Sequence, residues 1–152
     1  MYKGTLIAVK DMEESKKFYH DILNMTVIGD FGANVQLEGG LFLQTLDTWG
    51  RFINNKEVCL KNNAIELYFE VRDIDAFYKK LQENDVEYVH ELQEHSWGQR
   101  VVRFYDPNHH IIEAAEDIVM VVTRFFRNGM TVEQIASRMD VPVDYVKECL
   151  ER

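Results

Sequence analysis

Hydrophobic and polar positions follow one repeated order through the first 116 residues. After Asp11 and again after Asp73, apolar residues recur every three or four positions, which is the spacing of an amphipathic helix. Each aspartate stands where its carboxylate can accept the free amide hydrogens of the first helical turn. Short apolar segments separated by turn residues follow each helix. We expect strands at about residues 25–30, 33–37 and 41–45, and again at about 86–92, 99–105 and 110–115.

The two halves of this region also share sequence. Val9-Lys10-Asp11-Met12 recurs as Val71-Arg72-Asp73-Ile74, and in both copies an apolar strand precedes and follows the helix. The pattern predicts an α+β fold of two βαβββ modules, at about residues 1–45 and 64–116. Residues 46–63 form the connector, and its length favours a short helix or a flap within it.

Composition narrows the class of protein. The chain has 152 residues, of which 46% are hydrophobic, and this suits one compact domain with or without an appendage. A formal net charge of −9 argues against nucleic acids and anionic membranes as partners. The two cysteines lie far apart in sequence, so no disulfide framework or thiolate zinc site is indicated. No signal peptide or membrane span is predicted at the N-terminus, and we expect a cytoplasmic location.

A sharp turn with two histidines follows one of the last predicted strands. Asp106-Pro107-Asn108 has strong turn chemistry, because Asp caps the turn, Pro fixes its backbone angle and Asn tolerates a left-handed conformation. His109 then either takes a positive φ or belongs to another type of turn. Adjacent strand residues point in opposite directions, so His109 and His110 are most simply turn and strand-edge residues rather than paired metal ligands.

With these motifs, the chain resembles the vicinal oxygen chelate superfamily, which includes glyoxalase I, fosfomycin resistance enzymes, bleomycin-binding proteins and extradiol dioxygenases. The resemblance covers about residues 4–116. It implies that the two modules form a cup-shaped, eight-stranded mixed sheet with metal and substrate inside the cup, and that the protein is a homodimer. The matching segments are Val9 to Tyr19, Trp97-Gly98-Gln99-Arg100, and Phe104 to Glu113.

The resemblance also implies four metal-ligand positions, which here are Gly4, Gln44, Glu66 and Glu113. Glycine has no side chain, and the set lacks the imidazole that Zn²⁺, Ni²⁺ and Fe²⁺ favour. Gln44, Glu66 and Glu113 offer an all-oxygen set that suits Mg²⁺ or Mn²⁺ better than Ni²⁺ or Zn²⁺. Glu113 is also the candidate catalytic residue, since it matches the terminal glutamate of the family. The alternative is a group of polar residues with no ion.

Strand alternation offers the carboxylates a different partner. If Val102 and Phe104 pack against the helices, Arg103 faces the cup beside Glu113. Arg103 then either forms a structural salt bridge with Glu113 or Glu66, which makes a metal unnecessary, or binds an anionic group of a ligand while a glutamate acts as acid or base. The remaining residues expected to bind ligand are aromatic or polar and lie in the cup or at its rim: Phe42, Tyr68, Glu70, His95 and Trp97.

Residues 117–152 lie outside the resemblance and are predicted to form a C-terminal helical extension to the domain of residues 1–116. Thr131 is the expected N-cap of one helix, and another follows the segment Asp140 to Val143. The pair is similar to a helix-turn-helix. Acidic residues outnumber basic ones in its second helix, which argues against DNA contact and favours a helical cap on the barrel or on a neighbouring subunit.

Three functions remain open at this stage. The sequence favours a protein that binds a small molecule in the cup, similar to the bleomycin-binding proteins. The alternatives are a metal-dependent lyase or isomerase similar to glyoxalase I, in which a metal polarises adjacent oxygens and a glutamate moves a proton, and a ligand-sensing regulator with a C-terminal helix-turn-helix. The residues leave open the identity of the ligand and whether it is turned over.

Overall fold

The computed structural model describes residues 1–152, and its elements follow the predicted order. The chain divides into two compact units, one of Met1–Ile65 with Tyr105–Ile111 and one of Glu66–Phe104 with Ile112–Arg152. The strands are β1 (Thr5–Val9), β2 (Val27–Asp30), β3 (Asn34–Leu37), β4 (Leu41–Thr45), β5 (Glu66–Val71), β6 (Tyr88–Glu94), β7 (Arg100–Tyr105) and β8 (Ile111–Glu116). The α-helices are α1 (Met12–Leu23), α2 (Leu46–Phe52), α3 (Ile74–Glu83), α4 (Ile118–Arg127), α5 (Val132–Met139) and α6 (Val143–Leu150).

The first unit contains a four-stranded mixed sheet in the order β1-β4-β3-β2. β1 runs parallel to β4, and β3 is antiparallel to both of its neighbours. The carboxylate of Asp11 accepts the amide hydrogen of Glu14 at 2.9 Å, so the predicted N-cap of α1 is confirmed. β2 begins two residues later than predicted, because Met25 still donates its amide hydrogen to the Tyr19 carbonyl and closes the end of α1.

The turn between β7 and β8 belongs to the first unit, where Asp106 holds it. The buried Asp106 carboxylate accepts hydrogen bonds from the Tyr19 hydroxyl at 2.8 Å and from the amides of Asn108 and His110, both at 2.8 Å. Burial, together with the neighbouring Asp106 charge, raises the pKa of Tyr19 well above its ordinary value. His109 has a φ of 63°, so the positive φ considered for this residue is confirmed.

The second unit repeats the arrangement with the strand order β5-β8-β7-β6. The Asp73 carboxylate caps α3 by accepting the amide hydrogen of Ala76 at 3.0 Å, as its counterpart does in α1. The α+β class and the two βαβββ modules are therefore confirmed, each module with its own four-stranded sheet. β6 lies two residues later than predicted, because its hairpin with β7 closes only where His95 donates to the Gln99 carbonyl. The predicted connector contains the short helix α2.

The C-terminal extension consists of α4, α5 and α6, and it belongs to the second compact unit. Thr131 caps α5 in a reciprocal capping box with Gln134, which confirms the predicted N-cap. None of the helices in the chain combines the length and the apolar character that crossing a membrane requires. The three helices share a buried apolar core of Val121, Val122, Phe125, Ile135, Ala136, Met139, Val146 and Cys149.

A buried carboxylate connects this extension to the second sheet. Glu116 on β8 accepts two hydrogen bonds from Arg100 on β7, at 3.1 and 2.9 Å, and two from Arg124 on α4, also at 3.1 and 2.9 Å. Arg124 also donates to the Gly98 carbonyl at 2.5 Å. Burial by itself raises the pKa of Glu116, but the hydrogen bonds from Arg100 and Arg124 outweigh it and hold the pKa below its ordinary value.

Replacing Glu116 by glutamine is expected to destabilise the fold by about 3 kcal/mol at pH 7, because two guanidinium groups lose their shared anion. A carboxylate whose pKa is lower in the folded than in the unfolded state stabilises the fold at a pH above its unfolded pKa. That stabilisation disappears as the pH falls through the pKa of the folded state. Urea unfolding should therefore show a large difference from the wild type at pH 7 that shrinks below about pH 4. Glu83→Gln, at an exposed carboxylate, is the control. An equal loss of stability in Glu116→Gln at pH 7 and at the lower pH would contradict the conclusion that Arg100 and Arg124 stabilise an ionised Glu116.

Candidate functional site

Arg103 lies at the centre of a polar cluster on the second sheet. Its Nε donates to Glu66 Oε2 at 2.8 Å, its Nη2 donates to Glu113 Oε2, and its Nη1 lies 3.2 Å from His90 Nε2. We call Glu66, His90, Arg103 and Glu113 the Arg103 cluster. Burial increases across it: the Glu66 side chain is 38% exposed, that of Arg103 is 24% exposed and that of Glu113 is 7% exposed. Two carboxylates against one guanidinium give the cluster a net negative charge.

The hydrogen bonds of His90 fix the orientation of its ring. Nδ1 lies 2.8 Å from the carbonyl oxygen of Glu91, which can only accept, so Nδ1 carries a hydrogen. Nε2 is then the acceptor for Arg103 Nη1. The guanidinium is thus bound on three sides by Glu66, Glu113 and His90. Strand pairing explains the position of His90, since β6 places it beside Arg103 on β7.

An aromatic group lies on the same unit as the cluster. Tyr68 is 53% exposed and donates to Glu70 at 2.9 Å, and Trp97 is 40% exposed and stacks on His95 with ring centroids 4.2 Å apart. Trp97 Nε1 donates to Gln99 Oε1 at 3.3 Å. Burial, with the positive charge of Arg103 nearby, lowers the pKa of His95 below its ordinary value. Burial also raises the pKa of Tyr68.

The first unit holds the other two predicted site residues that carry side chains, Phe42 and Gln44, both on β4. Gln44 is buried, and both ends of its amide are occupied. Its Oε1 accepts from Asn34 Nδ2 at 2.8 Å, and its Nε2 donates to Thr48 Oγ1 at 2.5 Å. The structure thus brings Glu66, Arg103 and Glu113 together in one unit and places Gln44 in the other, within a hydrogen-bond network of its own.

These side chains do not fit the metal ion that the fold family implies. A Cβ atom at Gly4, the first ligand position, would stand 2.0 Å from the carbonyl oxygen of Gly40, so no side chain is accommodated there without a backbone shift. Both glutamates are already bound to a guanidinium, and Gln44 is bound to Asn34 and Thr48. The chain has no group of three or more His, Cys, Asp and Glu side chains placed to hold a metal. Ion binding by Gln44, Glu66 and Glu113 stays a prediction from the sequence, and the hydrogen bonds of these side chains argue against it.

Comparison with known proteins identifies the class. Residues 2–119 match the family model described as a glyoxalase-like domain. A solved structure of a protein of unknown function from Agrobacterium tumefaciens str. C58 is 34% identical, with a TM-score of 0.69, and the match covers 77% of this chain and 94% of that one. Lactoylglutathione lyase from Agrobacterium tumefaciens shares the fold at 17% identity, with a TM-score of 0.61, over 78% of this chain and 95% of its own.

A relative in sequence is the uncharacterized protein YraH of Bacillus subtilis (strain 168). It is 27% identical over 119 residues, which cover 70% of this chain and 91% of the relative. The fold and these comparisons define a protein of the vicinal oxygen chelate superfamily. Within that superfamily, the chain belongs to the glyoxalase-like domain family. The match ends at residue 119, so helices α5 and α6 lie outside it.

The close approach of Gly4 to Gly40 gives a test of why a ligand side chain is missing at this position. Gly4→Ala is expected to lower the free energy of unfolding by about 3 kcal/mol, since the new methyl group meets a carbonyl oxygen and φ is +152°. The matched control is Gly39→Ala, where φ is +74° but no atom lies within 4 Å, and there we expect about 1 kcal/mol. Urea unfolding measures both, and equal losses would contradict the steric explanation.

Proposed function

We propose that this protein binds a small molecule on the open face of the second sheet, and that Arg103 takes the place of a metal ion as the cation of that site. The open face is the surface that presents Glu66, Tyr68 and Glu70 of β5 together with the rest of the Arg103 cluster. The observation that supports the proposal is the simultaneous hydrogen bonding of Arg103 to Glu66 and Glu113. These are the two glutamates at the metal positions implied by the resemblance.

An arginine in this position changes what the two carboxylates can do. A guanidinium stays charged at every accessible pH and satisfies carboxylates through hydrogen bonds of fixed geometry. A divalent ion that entered between Glu66 and Glu113 would have to displace Arg103 and leave its charge half-buried without a partner. That displacement is unfavourable, because desolvated charges need their counter-charge. The cluster is therefore a binding surface of hydrogen-bond acceptors around a permanent internal cation.

The charge of the cluster selects the class of ligand. Arg103 is already engaged on three sides, whereas Glu66 Oε1 and Glu113 Oε1 take no hydrogen bond from the protein. Exposed Tyr68 and Trp97 supply flat apolar surfaces in the same unit. A flat molecule with N–H or O–H donors, neutral or positively charged, satisfies both features. An anion would be repelled by the net negative charge of the cluster, in which two carboxylates surround one guanidinium.

Metal binding tests the role of Arg103. Protein purified without chelators is expected to contain no stoichiometric metal, and Arg103→Met is expected to bind Mn²⁺ at least about tenfold more tightly than the wild type, since it releases two carboxylates. Isothermal titration with Mn²⁺ gives both affinities. The gain in Mn²⁺ affinity should disappear in the double variant Arg103→Met, Glu113→Gln. The control Arg51→Met, which removes an exposed ion pair, should bind Mn²⁺ no more tightly than the wild type. Stoichiometric metal in the wild type that is lost in Glu113→Gln would instead support the metal-dependent lyase.

Ligand charge tests the binding surface itself. Tryptamine and indole-3-propionate carry the same ring system with opposite charges, and we expect tryptamine to bind about tenfold more tightly, a difference of about 1.4 kcal/mol. Chemical-shift titration by NMR measures both affinities and shows which residues respond. Tyr68→Ala should weaken tryptamine binding, whereas Phe126→Ala, at an exposed aromatic residue of α4, should leave it unchanged. Equal binding of the two compounds, or tighter binding of the anion, would reject this ligand class.

A further inference from the structure

We propose that a cavity beside His110 in the first unit is a second ligand site, which takes a flat apolar molecule about the size of a benzene ring that carries one O–H or N–H donor. The cavity has a volume of about 150 Å³ and is lined by residues of β1, the connector, the segment just before β5 and the turn before β8, including Leu6, Ile7, Trp49, Cys59, Ile65 and His110. It does not include any member of the Arg103 cluster. The inference is therefore independent of the function proposed above.

The connector forms one wall of this cavity because side-chain contacts hold it against the turn. The Tyr105 hydroxyl donates to Asn63 Oδ1 at 2.8 Å, and Lys61 Nζ lies 4.6 Å from the centroid of the Tyr105 ring. The Tyr105 ring in turn meets that of His109 edge-on, with centroids 5.6 Å apart. These contacts join the end of the connector to the turn, so the space between them and β1 is a feature of the folded unit.

His110 gives the cavity a polar group of fixed orientation. Its Nδ1 lies 2.9 Å from Asp106 Oδ2, and the Asp106 side chain has no solvent exposure. Asp106 is a carboxylate that also accepts the Tyr19 hydroxyl hydrogen and two amide hydrogens, so Nδ1 of His110 is the donor in this contact. In the neutral ring, Nε2 is then an acceptor, and no group of the protein hydrogen-bonds to it. An occupant with one donor is the complement of this atom.

Size and lining define the rest of the ligand. A cavity of about 150 Å³ is large enough to hold benzene, as engineered apolar cavities of that volume do, and its lining here combines apolar residues with Asn62 and Asn63. Leu6, Ile7 and Ile65 provide apolar contact, and Trp49 provides a flat aromatic surface. A single aromatic ring fills such a space, and its one donor reaches His110. Phenol meets these requirements, whereas toluene has the same shape and no donor.

Phenol and toluene are therefore the matched probes. Trp49 fluorescence in a Trp97→Phe background, where Trp49 is the remaining tryptophan, reports occupancy of the cavity at pH 8. In this background we expect both compounds to bind, and we expect the ratio of the toluene Kd to the phenol Kd to fall about fivefold in His110→Phe, which removes one hydrogen bond to the ligand. His20→Phe, at an exposed histidine of α1, should leave the ratio unchanged.

Two further measurements keep the proposal testable if His110→Phe does not fold. Cys59 is an exposed thiol that lines the cavity, whereas Cys149 is buried, so phenol should slow the reaction of Cys59 with a thiol reagent. Leu6→Trp places a bulky ring at a partly exposed position of the lining and should abolish both the fluorescence response and this protection. No response of Trp49 or Cys59 to either probe at millimolar concentration would overturn the proposal, as would a Kd ratio that is unaffected by His110→Phe.

Discussion

The structure depends on one buried carboxylate, that of Asp106. Its side chain has no solvent exposure, and burying an ionised carboxylate is unfavourable unless hydrogen bonds replace the lost water. Four donors do so: the Tyr19 hydroxyl, the amides of Asn108 and His110, and Nδ1 of His110. The Tyr19 contact joins α1 of the first module to the turn between the last two strands of the second. This network holds the turn in the first unit and fixes the positive φ of His109.

The two strands that meet at this turn carry the charges of the candidate site. Arg103 precedes the turn on β7, and Glu113 follows it on β8, so the hairpin places a guanidinium and a carboxylate on neighbouring strands. Glu113 is nearly buried and therefore requires a compensating cation. In this chain the cation is supplied from the adjacent strand. Glu66 on the other neighbour of β8 completes the cluster, and the same sheet supplies His90 from β6.

Much of this could be predicted from the sequence, because periodicity, capping and strand alternation are local properties. The caps Asp11 and Asp73 follow from positions along single helices, and the proximity of Arg103 to Glu113 follows from side-chain alternation along two strands that a short predicted turn joins. The contacts that were missed depend on pairing between elements. His90 reaches Arg103 through a register with irregularities in the β6–β7 hairpin, which no sequence pattern reveals. The crowding at Gly4 comes from a loop distant in sequence, and the His110 cavity requires the connector to fold against the turn.

The exchange of a metal ion for Arg103, as proposed, has consequences for the chemistry of the site. A divalent ion can exchange its ligands and polarise a bound oxygen, which is how a metal assists a reaction. A guanidinium forms hydrogen bonds of fixed direction, and its charge is spread over three nitrogens that are already engaged. Glu113 is in turn held by that cation through Oε2, so one of its two oxygens is already occupied. The cluster is thereby suited to recognising donors on a ligand through fixed hydrogen bonds, and the ion pairs that stabilise it leave no position at which a metal could exchange its ligands.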